Sequence, residues 1–448
     1  MMKSEGRIRT TSPKTELKVV EGSKHPQMKK IVMIMTFSPA YQEWANKPCP
    51  TTNCWTTSRG ETVAIPGEDW QDLLLKALVE NYSEYECEVW QPDFHADRVY
   101  SAQLQDRLVH RNFPGLRIKR WKRGKPVGEN FSRPMLRWLR KQDSPDTVFL
   151  VPVNLYDVWV KKMILSVRFS HILYYNFLNT SLMLPRPLDP CQPLKAANRW
   201  LINREQKRWL GRVEHLLVAN DNPGALSRLL EIYPGIRPHY FGWGLDLDFW
   251  KPVRSKAEAR ERLGVAPDKF MIVLAQRLVP PYQVDRFIEA LARVRSGRES
   301  VCYVAGHGTR EYEAWLRDLA DSLGMKGRVL FVGRVPDEDL RDYFLAADLF
   351  ADVPITTGGS GSAVKCMALG TPILHITAGY SYEFLKEQGA GIFVSPTDYE
   401  GWTRTLKEVM GGKEVKRVSR RAVEECFSWA ATGRSLHQAI RQVLSDMP

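Results

Sequence analysis

Gly358, Gly359, Ser360, Gly361 and Ser362 form the stretch of this chain best suited to chemistry. Glycines here let backbone N–H groups approach a bound anion, and a helix starting at that point adds the favourable field of its dipole. The flanking residues supply such a helix. Ser362 to Leu369 has a helical pattern closed by Gly370. Upstream, Ala346 to Val353 is an apolar run with Asp348 and Asp352 inside it. Downstream, Thr371 and Pro372 restart the chain into a second run, Ile373 to Ile376. Strand, glycine loop, helix, glycine stop and strand describe a βαβ unit with its loop at the helix N-terminus. Pyrophosphate is the ligand this arrangement suits; a tight turn holding no ligand has the same glycine content. Walker spacing is absent, as is G-x-G-x-x-G.

The elements that would position this loop extend over the whole chain. Lys30 to Thr36 is a short continuous apolar run, which predicts a buried parallel strand. Residues 37–66 form a long stretch rich in Pro, Thr, Asn and Cys, read as a functional lid or an ordered insertion. Gly67 to Trp70 opens a helix with acidic residues in its first turn, and Glu88 to Gln91 continues as a strand. Asp146–Val153 and His171–Asn176 read as strands, with helices predicted from Trp159 and through Glu205–Leu210. Strands alternating with helices in both halves predict an α/β protein of two doubly wound, Rossmann-like domains.

Composition sets the outer bounds. The 448 residues suffice for two or three domains, and 44% hydrophobic with 26% charged content is ordinary for a globular protein. No apolar run reaches the roughly 18 to 20 residues of a spanning helix. Residues 1–27 have no apolar core and read as a flexible tail rather than a secretory leader. Seven scattered cysteines, including the loose Cys49/Cys54 spacing, read as reduced thiols of a cytoplasmic protein.

The text around the glycine loop narrows the reading. Met367–Leu374 (MALGTPIL), Ala346–Phe350 (AADLF) and Gly389–Asp398 (GAGIFVSPTD) resemble the donor half of the GT-B nucleotide-sugar glycosyltransferases. The likeness is to the large retaining group 1 family that includes sucrose synthase. Leu274-Ala-Gln-Arg277 resembles its donor loop, Tyr303-Val-Ala-Gly306-His-Gly308 its next turn, and Val329-Leu-Phe-Val-Gly333-Arg-Val335 its base-facing strand end. Tyr240 to Pro252 resembles the interdomain segment, and Phe427-Ser-Trp429 the opening of the last helix.

The resemblance implies a GT-B fold. An acceptor-binding domain would span 28–247, a donor domain 248–430, and a final helix over 431–448 would cross back to the first domain. It implies transfer of a sugar from a UDP- or GDP-linked donor, with no other cofactor and no metal. Arg277 would clamp the diphosphate, since a guanidinium bonds such oxygens in pairs. The family's Lys five residues later is Tyr282 here. Gly306, Gly308 and the Gly358–Ser362 loop would line the donor site, with Gly333 and Val335 against the base. The family's two Glu positions fall on Thr357 and Lys365, and its acceptor-domain His near Asn176. We expect Lys365 to pair with the donor diphosphate or with a carboxylated sugar, partly replacing the Lys absent at Tyr282, because an ammonium early in a helix opposes the dipole. Loss of the acidic pair leaves a second reading open, a catalytically degenerate binding or scaffold subunit.

Of the net charge of +13, residues 101–200 carry 18 Lys+Arg against 6 Asp+Glu. Within 117–141, ten cations interleave with Trp121, Phe131, Leu136, Trp138 and Leu139. This mixture suits an anionic bilayer surface, and equally phosphate backbone with stacked bases. The resemblance implies a glycan or lipid-linked acceptor and favours a peripheral position at the inner membrane face over nucleic acid.

Overall fold

The computed structural model describes residues 28–35, 54–56, 62–64, 70–94, 96–122, 125–153, 158–176, 183–185, 188, 190–191, 193–219, 223–242, 244–355, 361–377 and 380–446. The tail read at 1–27, most of the 37–66 stretch, and Thr357 to Ser360 therefore lie outside the described residues.

The first half contains β1 (Lys29–Ile34), β2 (Cys54–Thr56), β3 (Thr62–Ala64), α1 (Trp70–Asn81), β4 (Tyr85–Asp93), β5 (Tyr100–Gln105), β6 (Leu108–Pro114), β7 (Leu116–Lys122) and β8 (Lys125–Phe131). It continues with α2 (Arg133–Gln142), β9 (Thr147–Pro152), α3 (Val158–Ile164), β10 (His171–Asn176), α4 (Pro193–Leu210), β11 (His215–Ala219), α5 (Pro223–Ile232) and β12 (Arg237–Phe241). The second half holds α6 (Lys256–Arg262), β13 (Phe270–Ala275), α7 (Val284–Ala292), β14 (Ser300–Ala305), α8 (Arg310–Ser322), β15 (Val329–Gly333), α9 (Asp337–Ala346) and β16 (Leu349–Asp352). It ends with α10 (Gly361–Leu369), β17 (Ile373–Ile376), α11 (Tyr380–Glu387), β18 (Ile392–Val394), α12 (Tyr399–Met410), α13 (Arg420–Phe427) and α14 (Trp429–Ser445).

These strands form two large sheets, as the alternating pattern predicts. The first has eight strands in the order β12-β11-β10-β9-β1-β4-β6-β5, and only the edge strand β5 runs antiparallel to its neighbour. The second has six parallel strands in the order β15-β14-β13-β16-β17-β18. Both faces of each sheet are covered, which is why the central strands read as unbroken apolar runs: every residue of β13 and of β14 is buried. In the second sheet the chain starts at β13, winds one way to β15, then returns to wind the other way from β16. That reversal leaves a crevice at the carboxyl ends of β13 and β16, where such sheets bind ligands.

The last helix returns to the first sheet. Leu436, Ala439, Ile440 and Val443 of α14 share one buried cluster with Leu74, Leu75 and Leu78 of α1. Gly433 permits this contact, because a Cβ there would stand 2.9 Å from the Ala77 carbonyl oxygen. His437 stacks on Tyr82 at 3.8 Å. Where the halves meet, the Arg420 guanidinium donates to the carbonyls of Leu247 at 2.6 Å, Trp250 at 2.6 Å and Ala368 at 2.9 Å.

The basic segment differs from its sequence reading. Residues 116–131 form a two-stranded antiparallel hairpin, β7 with β8, separate from the main sheet. In α2, capped by Ser132, Leu139 is fully buried, and Phe131, Leu136 and Trp138 pack against the same core cluster. Trp138 meets Phe113 edge-on at 6.1 Å and lies under the Arg111 guanidinium at 4.9 Å. These apolar side chains are core, not interfacial anchors. A helix that must cover a sheet turns its apolar side chains inward and leaves Arg133, Arg137 and Arg140 outside, so the cations of α2 and its aromatic lie on different faces of the helix.

Candidate functional site

Four loops meet at the carboxyl edge of the second sheet. The loop after β13 begins with Gln276, whose N–H donates to the Ala305 carbonyl at 3.0 Å, while the Leu278 N–H donates to His307 O at 3.0 Å. The loop after β14 is tied to the loop after β15 by the Gly306 N–H and Gly333 O at 2.7 Å. The loop after β16 joins through the Ile355 N–H and Pro281 O at 3.0 Å. The edge is thus one hydrogen-bonded surface.

Gly306 and Gly308 are required by close approach. A Cβ on Gly306, at φ +143°, would lie 1.8 Å from the Gln276 carbonyl oxygen; one on Gly308 would lie 1.9 Å from Leu278 O. Their N–H groups are spent within the protein, on Gly333 O and on the Glu313 carboxylate at 2.6 Å. What these glycines supply is room for the Arg277 loop, not donors for an anion. Gly333 takes φ +69° at the end of β15, and Val335 lies half-buried beyond it.

Arg277 projects from this edge. It is exposed, and no ion pair or hydrogen bond holds its guanidinium among the described residues. Tyr282 ends a short 3-10 turn, Pro280–Tyr282, and its carbonyl accepts from Gln276 Nε2 at 2.9 Å. Next to it, Gln283 adopts φ +53°, a left-handed conformation that disfavours side chains. Its side chain is buried and donates to Pro396 O at 3.0 Å and the Tyr399 hydroxyl at 3.2 Å, which holds the loop in that form. Nothing in its residue type signals this.

On the β16 side, α10 starts at the exposed Gly361, followed by the half-buried Ser362. Lys365 does have an anionic partner, and it is internal. Its ammonium donates to Asp337 at 2.9 Å and 3.1 Å and sits 4.4 Å from the centre of the buried Trp250 ring. Asp337 opens α9, where a carboxylate suits the helix dipole, so one contact answers two dipole terms. Below α10, Asp352 and His375 form a pair that is 0% and 1% exposed. Asn176 stands apart from these residues: it ends β10, in the first sheet, opposite Val218. Thr357, Gly358, Gly359 and Ser360 lie outside the described residues.

The arrangement offers an exposed cation, a helix N-terminus and a carboxylate–ammonium pair at the carboxyl edge of one sheet. It can hold a dianion beside hydroxyl groups. Residues 255–425 match the model of the family described as glycosyl transferases group 1. The chain is 29% identical over 265 residues to a D-inositol 3-phosphate glycosyltransferase of Mycolicibacterium smegmatis, a match covering 58% of this chain and 56% of that protein. The chain thus spans about half the length of the curated relatives it matches. Among solved structures, sucrose-phosphate synthase from Thermosynechococcus elongatus superposes with a TM-score of 0.61 at 16% identity, covering 94% of this chain and 100% of that one. Anabaena HepE in complex with UDP gives 0.59 at 14%, covering 93% and 100%. At such identity the likeness is one of fold, and the fold is the two-domain GT-B architecture that the motifs imply.

Proposed function

We propose that this chain, which belongs to the group 1 glycosyltransferases through residues 255–425, transfers a sugar from a nucleoside-diphosphate sugar to an acceptor hydroxyl. The observation that carries the reading is Arg277, exposed and unpartnered among the described residues, on the loop after β13 at the carboxyl edge where the winding of the second sheet reverses toward β16 and α10. Breaking the glycosidic bond builds negative charge on the leaving diphosphate, and preorganised donors there lower the barrier. Arg277 bonds that diphosphate in bidentate fashion, and the first turn of α10 adds N–H groups and its dipole. The backbone of Gly333 to Val335 faces the base, and Tyr282 borders the donor where the family carries a Lys. Among relatives, HepE is described in complex with UDP, which supports a UDP-type donor. The acceptor lies on the first domain, near Asn176, and is a glycan or lipid-linked molecule. The cation-rich hairpin 116–131 holds it, or the anionic membrane that bears it. No helix of the described residues is long and apolar enough to cross a membrane.

A second reading is favoured by one observation. Lys365 is already neutralised by Asp337, and an internal ion pair replaces an acidic group in the donor site. A subunit that binds nucleotide without turnover fits that feature. Incubation with a panel of UDP-, GDP-, ADP- and TDP-sugars separates the two. Transferase activity releases nucleoside diphosphate in the presence of a total glycolipid or glycan extract. Saturable binding with no release from any donor leaves only the scaffold.

A further inference from the structure

Asp352 and His375 lie sealed under α10 at positions where the neighbouring strand residues are apolar. They face one another directly in the β16–β17 register. Phe350 and Ile373, two residues back on the same face, belong to the apolar cluster that includes Ala363 and Cys366 of α10. His375 Nδ1 lies 2.6 Å from the Ile376 carbonyl oxygen and therefore carries a hydrogen. Nε2 stands 3.1 Å from Asp352 Oδ2. The contact is an ion pair, and neither carboxylate oxygen accepts a hydrogen bond from another group among the described residues. A lone pair on Nε2 would face an ionised carboxylate repulsively, so the ionised pair calls for a hydrogen on this nitrogen too. Burial opposes the charge, yet the Asp352 carboxylate and the Ile376 carbonyl hold His375 above its ordinary value.

A buried ion pair is a poor way to stabilise a core, since apolar residues of similar volume serve as well or better. Its location suggests another role. Asp352 shares its strand face with Phe350, which lies in one buried cluster with Ala363 and Cys366, so its carboxylate lies beneath the body of α10, the helix that follows the carboxyl end of β16. Alone, that carboxylate would oppose any anion bound there. We propose that His375 is a positioning residue for the donor diphosphate: it neutralises Asp352 and so keeps the field at the start of α10 favourable to an anion. The proposal rests on α10 as the diphosphate seat. Neither side chain touches the ligand, because both are buried.

The charges fix the signs. Removing the cation leaves a carboxylate with no counter-charge, which weakens donor binding wherever in the pH range that carboxylate ionises. Removing both charges restores it. Removing only the carboxylate leaves a buried imidazole that gives up its proton, and donor binding survives. In the wild type, affinity falls as pH rises through the raised value of His375, above the ordinary 6.5. Few other groups bear on the pair. From α10, Cys366 is kept neutral by burial and Lys365 is held by Asp337; β18 brings Phe393 alongside His375; no other charge acts on the imidazole among the described residues.

The test is calorimetric titration of UDP-glucose and GDP-mannose, whose diphosphates have no proton titrating near neutrality, across pH. The proteins are wild type, H375Q, D352N and D352N/H375Q. H375Q should bind about tenfold more weakly at the upper end of the pH range, roughly the effect of one uncompensated unit charge acting over about 10 Å through the protein. D352N and the double variant should stay within about twofold of wild type and lose the pH dependence. Equal weakening by D352N and H375Q, or no recovery in the double variant, makes the pair merely structural and overturns the proposal. The wild-type pH profile alone also decides it, should H375Q fail to fold. Absence of wild-type binding to every nucleotide of a UDP, GDP, ADP and TDP panel would instead overturn the donor reading and this proposal with it.

Discussion

The Lys365 ammonium is chelated by both oxygens of Asp337, at 2.9 Å and 3.1 Å, so the start of α9 is tied to the second turn of α10. The two residues lie 28 positions apart, on the helices that follow the carboxyl-edge loops after β15 and β16. Trp250, buried beneath, receives the cation on its ring face.

Reversing that charge sets two carboxylates together at the crevice. Lys365→Glu should lower both the melting temperature and the affinity for the proposed donor. An exposed pair of this kind is worth about 0–1 kcal/mol and the cation–π contact about 0.5–1 kcal/mol, so the stability loss is modest. Lys365→Met keeps the stem over Trp250 and should lose less. Thermal melts and donor titrations of the two variants check this, and unchanged or tighter donor binding in Lys365→Glu refutes it.

Gly306→Ala and Gly308→Ala should each cost about 1–3 kcal/mol or more and displace the Arg277 loop, because the new Cβ runs into a backbone carbonyl. Gly361→Ala is the control, since a Cβ there meets nothing within 4 Å among the described residues. Chemical denaturation should separate the pair from the control; equal stability of all three would contradict the close approach described.

Leu436→Ala should destabilise the protein by about 2–5 kcal/mol, since Leu436 is 0% exposed between α14 and the first sheet. Nucleotide affinity, measured by calorimetry on the folded fraction, should stay at wild type, as the residues proposed to hold the donor sit on the other sheet. A loss of affinity matching the loss of stability would show the halves to be coupled.

Binding to anionic vesicles, if it resides in the hairpin, should vanish at high salt, because exposed charges are screened within about 8 Å at physiological ionic strength. Trp138→Ala should lower stability without changing co-sedimentation, since the ring is packed beside Phe113. Vesicle binding that follows Trp138 rather than salt would reverse this assignment.

The strands were legible because parallel strands buried on both faces leave unbroken apolar runs, as in Phe270–Ala275 and Ile373–Ile376. The carboxyl-edge loops were legible because their glycines answer steric demands that no other residue meets. The polar contacts were not. Asp352 with His375, and Lys365 with Asp337, are pairs made by sheet register and helix packing between distant positions, and no local spacing announces them. The 117–141 segment misled for a related reason. Interleaved cations and aromatics look alike whether they share one wet face or, as for Trp138 and Arg137, divide between core and solvent. Gln283 shows the limit most clearly, since a left-handed glutamine has no compositional mark at all.

The central claim is that the crevice at β13 and β16 binds a nucleoside diphosphate through Arg277. Calorimetric titration of wild type and Arg277→Ala with UDP, GDP, ADP and TDP tests it most directly. At least one nucleotide should bind the wild type. Arg277→Ala should weaken that nucleotide by about 1.5–3 kcal/mol, the worth of charged hydrogen bonds. The melting temperature of the unliganded variant should not move, because the guanidinium is exposed and unpaired among the described residues. No binding by wild type to any of the four, or equal affinity in both proteins, would contradict the account.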